Sequence, residues 1–118
     1  ERMKLSPDVE AKALELAGVN PVAGLKESAF QARVVALAKA NGWEIYHTHD
    51  SRRSEPGFPD LVLIRGRVLL VAELKVKRNK TTAAQERWLE LFRGVGARVF
   101  LWRPEDWASI RAELEACE

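Results

Sequence analysis

Residues 68–76, Val-Leu-Leu-Val-Ala-Glu-Leu-Lys-Val, constrain the fold more than any other stretch of the chain. Side chains on a strand alternate between its two faces. Here Val68, Leu70, Ala72, Leu74 and Val76 share one face, and Leu69 and Val71 lie on the other. A strand that is apolar on both faces belongs in the middle of a sheet, covered from both sides. Glu73 and Lys75 interrupt it and, two residues apart, point the same way. Burying an unpaired charge costs several kcal/mol, so such residues need a partner or a ligand.

The preceding residues supply a second strand. Leu61 to Ile64 is apolar and β-branched, and Arg65-Gly66-Arg67 separates it from Val68 as a hairpin turn. A pivot at Gly66 places Glu73 opposite Leu61 or Asp60, so Asp60, Glu73 and Lys75 converge at one end of the hairpin.

Around this hairpin the pattern gives the order α, α, β, β, β, α, β, α. Ser6-Pro7-Asp8 opens a first helix that stops at Gly18, and 19–25 reads as a connector. Phe30, Val34, Leu37 and Ala38 mark a helix over 26–40. Residues 43–49 and 97–103 read as strands. Thr81 or Thr82 caps a helix to about Gly94, and Pro104 opens a last helix to about Ala116. The expected architecture is α/β: a small mixed sheet flanked by helices, with residues 1–25 as an N-terminal helix and linker and 26–118 as the domain proper.

Composition narrows the function classes. No apolar run approaches the roughly 20 residues that span a bilayer, and no signal-peptide pattern is present. Cys117 is the only cysteine, which excludes an intrachain disulfide and a cysteine-built zinc site. The expected setting is intracellular. Net charge is only +2, but Arg52, Arg53, Arg65, Arg67, Lys75, Lys77, Arg78 and Lys80 crowd the central third, a cationic patch suited to a phosphate backbone.

Two carboxylates and an ammonium at this spacing suit metal-assisted phosphodiester hydrolysis. Asp60 and Glu73, with a backbone carbonyl such as that of Leu74, offer hard oxygen ligands to Mg²⁺. Lys75 is placed to orient the nucleophile or stabilise transition-state charge. A functionless buried ion-pair network is the alternative reading. Glu27 and Gln31 are four apart on one helix, and Gln85 shares a face with Trp88, Leu89 and Phe92, so all three are candidates to join the site. Arg52, Arg53 and Ser54 in the polar loop 50–59, and Lys77, Arg78 and Lys80 after the hairpin, are candidate phosphate contacts; the alternative is a solvated surface. His47 and His49 share a strand face without zinc-like spacing, and the four tryptophans sit in patterned elements, as core or dimer-surface residues do.

These residues carry a resemblance. Pro59-Asp60, thirteen positions, then Glu73-Leu74-Lys75 resembles the PD-(D/E)XK nuclease superfamily. Glu27-Ser-Ala-Phe-Gln31, Gly57-Phe58-Pro59-Asp60-Leu61 and Thr82-Ala-Ala-Gln85 are similar to the elements of its VRR-NUC branch, over about residues 26–103. The resemblance implies a restriction-endonuclease-like core. It also implies Mg²⁺ (or Mn²⁺) held by Asp60, Glu73, the Leu74 carbonyl and Glu27, with Lys75 catalytic and Gln31 and Gln85 supporting. No small-molecule cofactor is implied. Small members are typically phage-borne and resemble homodimeric junction-resolving enzymes, which makes the expected setting a bacterial or phage-infected cell. The leading expectation is thus a homodimeric, structure-selective DNA endonuclease acting on branched or junction DNA. A flap or nicking nuclease and a non-cleaving DNA-binding or assembly module are the alternatives.

Overall fold

A computed structural model describes residues 6–49 and 53–116. Its elements are α1 (Pro7–Leu16), α2 (Glu27–Ala40), β1 (Glu44–His47), β2 (Leu61–Arg65), β3 (Val68–Leu74), α3 (Ala83–Gly94), β4 (Arg98–Trp102), a 3-10 turn (Pro104–Asp106) and α4 (Trp107–Glu115). The strands form one sheet in the order β1-β2-β3-β4, so β3 is central. The pairs β1–β2 and β2–β3 are antiparallel, whereas β3 and β4 are parallel and joined by the α3 crossover. This is the α/β sheet with flanking helices that the two-faced strand demands.

The faces of β3 separate two apolar clusters. Leu70, Ala72, Leu74 and Val76 pack with Leu61, Leu63, Phe30, Val34, Leu37, Ile110 and Leu114, beneath α2 and α4. Leu69 and Val71 pack with Leu89, Phe92, Ala97 and Val99, beneath α3. The hairpin closes over Gly66-Arg67 alone, with Gly66 at φ +61, the glycine-first form of a tight hairpin turn. Trp43, Trp102 and Trp107 are buried in the larger cluster. Ala11 of α1 and Val22 of the following turn also lie in that cluster, and Asn20 donates to the Pro104 carbonyl at 3.0 Å.

Two expectations need correction. The last helix does not start at Pro104: Pro104–Asp106 is a separate tight turn, held by an Asp106 N–H to Arg103 carbonyl bond of 2.9 Å. Arg65, counted among the cationic patch, is a structural brace. Its guanidinium donates to the carbonyls of Asn41 and Leu114, each at 3.0 Å, and to that of Ala116, and lies 4.4 Å over the Trp43 ring. It thereby ties the ends of α2 and α4 together, because helix ends leave carbonyls that need donors. No helix among the described residues is long and apolar enough to cross a membrane.

Candidate active site

The register of the hairpin builds the site. Leu61 pairs with Ala72, so the next pair outward sets Asp60 beside Glu73. Two reciprocal bonds fix them there: the Asp60 N–H donates to Glu73 Oε1 at 3.3 Å, and the Leu74 N–H donates to Asp60 Oδ2 at 2.8 Å. From the other side, Thr48 donates its N–H to the Asp60 carbonyl and its hydroxyl to the Pro59 carbonyl, each at 3.0 Å.

The approach loop is seated on α3. Gly57 has φ +80, and a Cβ there would lie 2.4 Å from the Ala84 carbonyl carbon and 2.6 Å from the Gln85 amide nitrogen. Only glycine combines that backbone with such contact. Phe58 then packs edge-on to Trp88 and Phe92, with ring centroids 5.1 and 5.9 Å apart.

Glu73 is 2% exposed. Gln85 Nε2 donates to its Oε2 at 2.8 Å, and Lys75 Nζ stands 3.7 Å from the same oxygen. The other end of the Gln85 amide accepts the Thr82 N–H at 2.8 Å, while Thr82 Oγ1 accepts the Gln85 N–H at 3.1 Å. Gln85 therefore closes a capping box and steadies a buried carboxylate with one side chain. Burial, and next the negative charge of Asp60, push the Glu73 carboxyl up to about 8, against the opposing pull of Lys75.

Glu27 lies on the exposed first turn of α2. Desolvation and then the Asp60 charge raise its pKa and Lys75 lowers it, which places it within electrostatic reach of the cluster. Gln31 is not bonded to the carboxylates; its Nε2 meets His47 Nδ1 at 3.5 Å. The His47 and His49 rings meet at a tilt of 51°, with centroids 4.2 Å apart. Lys77, Arg78 and Lys80 are exposed on the turn that follows Lys75. Arg53 is exposed and Ser54 half-buried, and Arg52 lies outside the described residues.

Sequence reasoning places Asp60, Glu73, Lys75 and Gln85 together and misses the residues that hold them. The Thr82-x-x-Gln85 spacing is itself a capping-box signature and is readable as one. Gly57 stands inside a quoted motif, but its role depends on a contact with α3 across the chain. Thr48 carries no signal.

The donor set fits a hard divalent cation. Two carboxylates are held side by side where burial and the neighbouring Asp60 charge oppose ionisation of Glu73, and a cation beside the pair relieves that opposition. Among the described residues no group of three or more His, Cys, Asp and Glu side chains is gathered as a ready-made ligand set. A cation here would rely on two carboxylates, with carbonyl and water oxygens completing its shell.

A hairpin that displays a carboxylate pair and a lysine at one end of a mixed sheet, backed by a glutamine from the crossover helix, defines a PD-(D/E)XK-type nuclease domain. The family model of the VRR-NUC domain matches residues 7–105, and the chain belongs to that family, a nuclease family. Among solved structures the chain is similar to Hjc of Archaeoglobus fulgidus, a Holliday junction resolvase from an archaeal hyperthermophile. That likeness has a TM-score of 0.49 and 24% identity, and covers 64% of this chain and 67% of the other. Comparison with curated proteins gave no match.

Proposed function

We propose that the chain is a divalent-metal-dependent DNA endonuclease that cuts branched DNA, of the Holliday-junction type, as a homodimer. The observation that carries the reading is the Asp60–Glu73 pair, with Glu73 buried and Asp60 half-buried, mutually bonded and backed by Gln85 and Lys75. A functionless ion-pair network is a poor account of it, because apolar packing serves a core better than a carboxylate pair with one cation.

Asp60, Glu73 and the Leu74 carbonyl would hold Mg²⁺ or Mn²⁺, with Glu27 at the open side. When bound, the ion lowers the pKa of a coordinated water and neutralises charge on the phosphoryl oxygens. The chain's own groups do the positioning. Gln85 fixes the Glu73 carboxylate at Oε2, leaving Oε1 toward Asp60. The Leu74 N–H fixes Asp60 at Oδ2. Lys75, largely shielded from solvent, stands over the same pair to orient the nucleophile and stabilise developing charge. Lys77, Arg78 and Lys80, with Arg52, Arg53 and Ser54, would contact the phosphate backbone without reading sequence.

Cutting a two-fold junction needs two sites at fixed spacing, which a two-fold dimer provides. α3 covers β3 and β4 but leaves Tyr46 and Ile64, 59% and 50% exposed, on the open half of the same sheet face. A second copy would bury that surface. The test is incubation with Mg²⁺ or Mn²⁺ on labelled junction, flap, duplex and single-stranded DNA, beside Asp60→Ala and Lys75→Ala, with light scattering for mass. Symmetric junction cleavage lost in both variants, from a dimer, is the expected result. Cleavage that survives both substitutions refutes the site.

A further inference from the structure

The turn after Lys75 is held in a costly conformation by a residue with no part in the proposed site. Lys77 has φ +55, and among the described residues it alone is a non-glycine with positive φ. Such a backbone costs of order 1 kcal/mol and persists where its surroundings enforce it. Arg103 provides the enforcement: Nη1 donates to the Lys77 carbonyl at 3.1 Å and Nη2 to the Asn79 carbonyl at 2.7 Å. The Asn79 N–H closes the turn on the Val76 carbonyl at 3.2 Å.

The root of Arg103 is fixed as well. It follows Trp102, whose carbonyl accepts the Lys75 N–H at 3.0 Å, and its own N–H donates to Asp106 Oδ2 at 2.9 Å. One guanidinium therefore spans the exits of two neighbouring strands and sets the path of 77–80 relative to Lys75. Its acceptors here are neutral carbonyls, so its charge adds to those of Lys77, Arg78 and Lys80. Those three side chains are exposed and make no hydrogen bond or ion pair within the described chain. Exposed cations with no partner among the described residues, on a turn held against its own preference, are suited to an anion from outside.

We infer that Arg103 is a positioning residue for substrate: by pinning the 77–80 turn it aligns the turn's cations with the phosphate backbone of the strand leaving the Asp60–Glu73–Lys75 site. The inference rests on the nuclease reading. Its alternative is direct contact between Arg103 and a phosphate. Lysine separates the two, because it keeps the charge and loses the two-pronged fork that bridges two carbonyls.

The experiment measures junction-DNA affinity by anisotropy in EDTA, across a KCl series, for wild type, Arg103→Lys, Arg78→Ala/Lys80→Ala and the triple variant, with thermal melts to confirm folding. Arg103→Lys is expected to weaken binding about 3–10-fold at 0.1 M salt and to lower the log–log salt slope by about 1, the loss of one phosphate contact. Added to Arg78→Ala/Lys80→Ala, it is expected to change affinity less than about 2-fold, because both act through one turn. Wild-type affinity in Arg103→Lys, fully additive losses, or wild-type binding by Arg78→Ala/Lys80→Ala overturns the inference. The last variant alters only exposed residues, so its result stands even if Arg103→Lys misfolds. Protein that cleaves DNA but ignores the turn overturns this inference alone. Protein that neither binds nor cleaves overturns the nuclease reading with it.

Discussion

Replacing Glu73 with glutamine is expected to make the protein less stable in acid and more stable in mild alkali, with the two stability curves crossing. In the folded protein the Glu73 carboxyl is pushed up to about 8 from an ordinary 4.5. Between those values the folded state binds more protons than the unfolded state, so stability falls as pH rises through the window. At about 1.36 kcal/mol per pH unit the loss amounts to at most about 5 kcal/mol, absent below pH 4.5 and complete above 8. The glutamine side chain does not titrate, so the loss vanishes in the variant. It carries a fixed cost instead. Glu73 accepts from Gln85 Nε2 on one oxygen and from the Asp60 N–H on the other. A glutamine amide has one acceptor, so either orientation turns a donor against a donor, at about 1–3 kcal/mol. Titrating groups remote from the pair shift both proteins in parallel and cancel in the difference. The assay is urea or thermal unfolding of both proteins from about pH 4.5 to 9.5 in EDTA. Each kcal/mol moves the midpoint by about 3–6 °C in a domain of this size. Repeating the wild-type series with saturating Mg²⁺ is expected to flatten its decline, because the cation favours the ionised pair. Parallel curves without a crossing would refute the account of Glu73 as a carboxylate destabilised by burial and by Asp60.

Gln85→Glu keeps an acceptor for the capping box and loses the donor to Glu73 Oε2, 2.8 Å away, adding a negative charge in its place. Cleavage is expected to fall at least about 10-fold with helix content unchanged by circular dichroism; wild-type cleavage would refute the pairing. Gly57→Ala sets a methyl 2.4 Å from the Ala84 backbone at φ +80 and is expected to cost about 2–4 kcal/mol in urea unfolding. An unshifted midpoint would show that the loop has another seat. Arg65→Ala removes donors to Asn41, Leu114 and Ala116 and the stacking on Trp43, and is expected to cost about 2–3 kcal/mol while junction-DNA affinity stays within about 2-fold. Lost affinity at full stability would return Arg65 to the binding patch.

The sheet and the carboxylate pair are legible in sequence for the same reason. Val68 to Val76 can be satisfied only at the centre of a sheet, and Glu73 and Lys75 contradict that environment. A pivot at Gly66 then leads to Asp60, because a two-residue turn fixes antiparallel register. Nothing local distinguishes Arg65 from Arg67, by contrast. Both flank Gly66, and only tertiary contact with the ends of α2 and α4 makes one a brace while the other stays exposed. Thr48 and Arg103 escape notice because each acts on backbone carbonyls, which every residue has and no sequence pattern marks. The break at Pro104 misleads because proline opens 3-10 turns and α-helices alike.

Gln85 shows why glutamine rather than glutamate belongs at this site. The capping box accepts either residue at that position, since both offer an oxygen to the Thr82 N–H. The sheet beneath accepts only one, because Glu73 is already crowded by Asp60 and needs a neutral donor, not another negative charge. An amide meets both demands at once, with its oxygen toward the helix start and its nitrogen toward the carboxylate. Because Gly57 abuts Ala84 and Gln85, the loop that delivers Asp60 is indexed to the same helix start. The first turn of α3 thus sets both carboxylates relative to each other, one through a side chain and one through a close backbone contact. A change there is expected to move the two carboxylates relative to each other before it unfolds the domain.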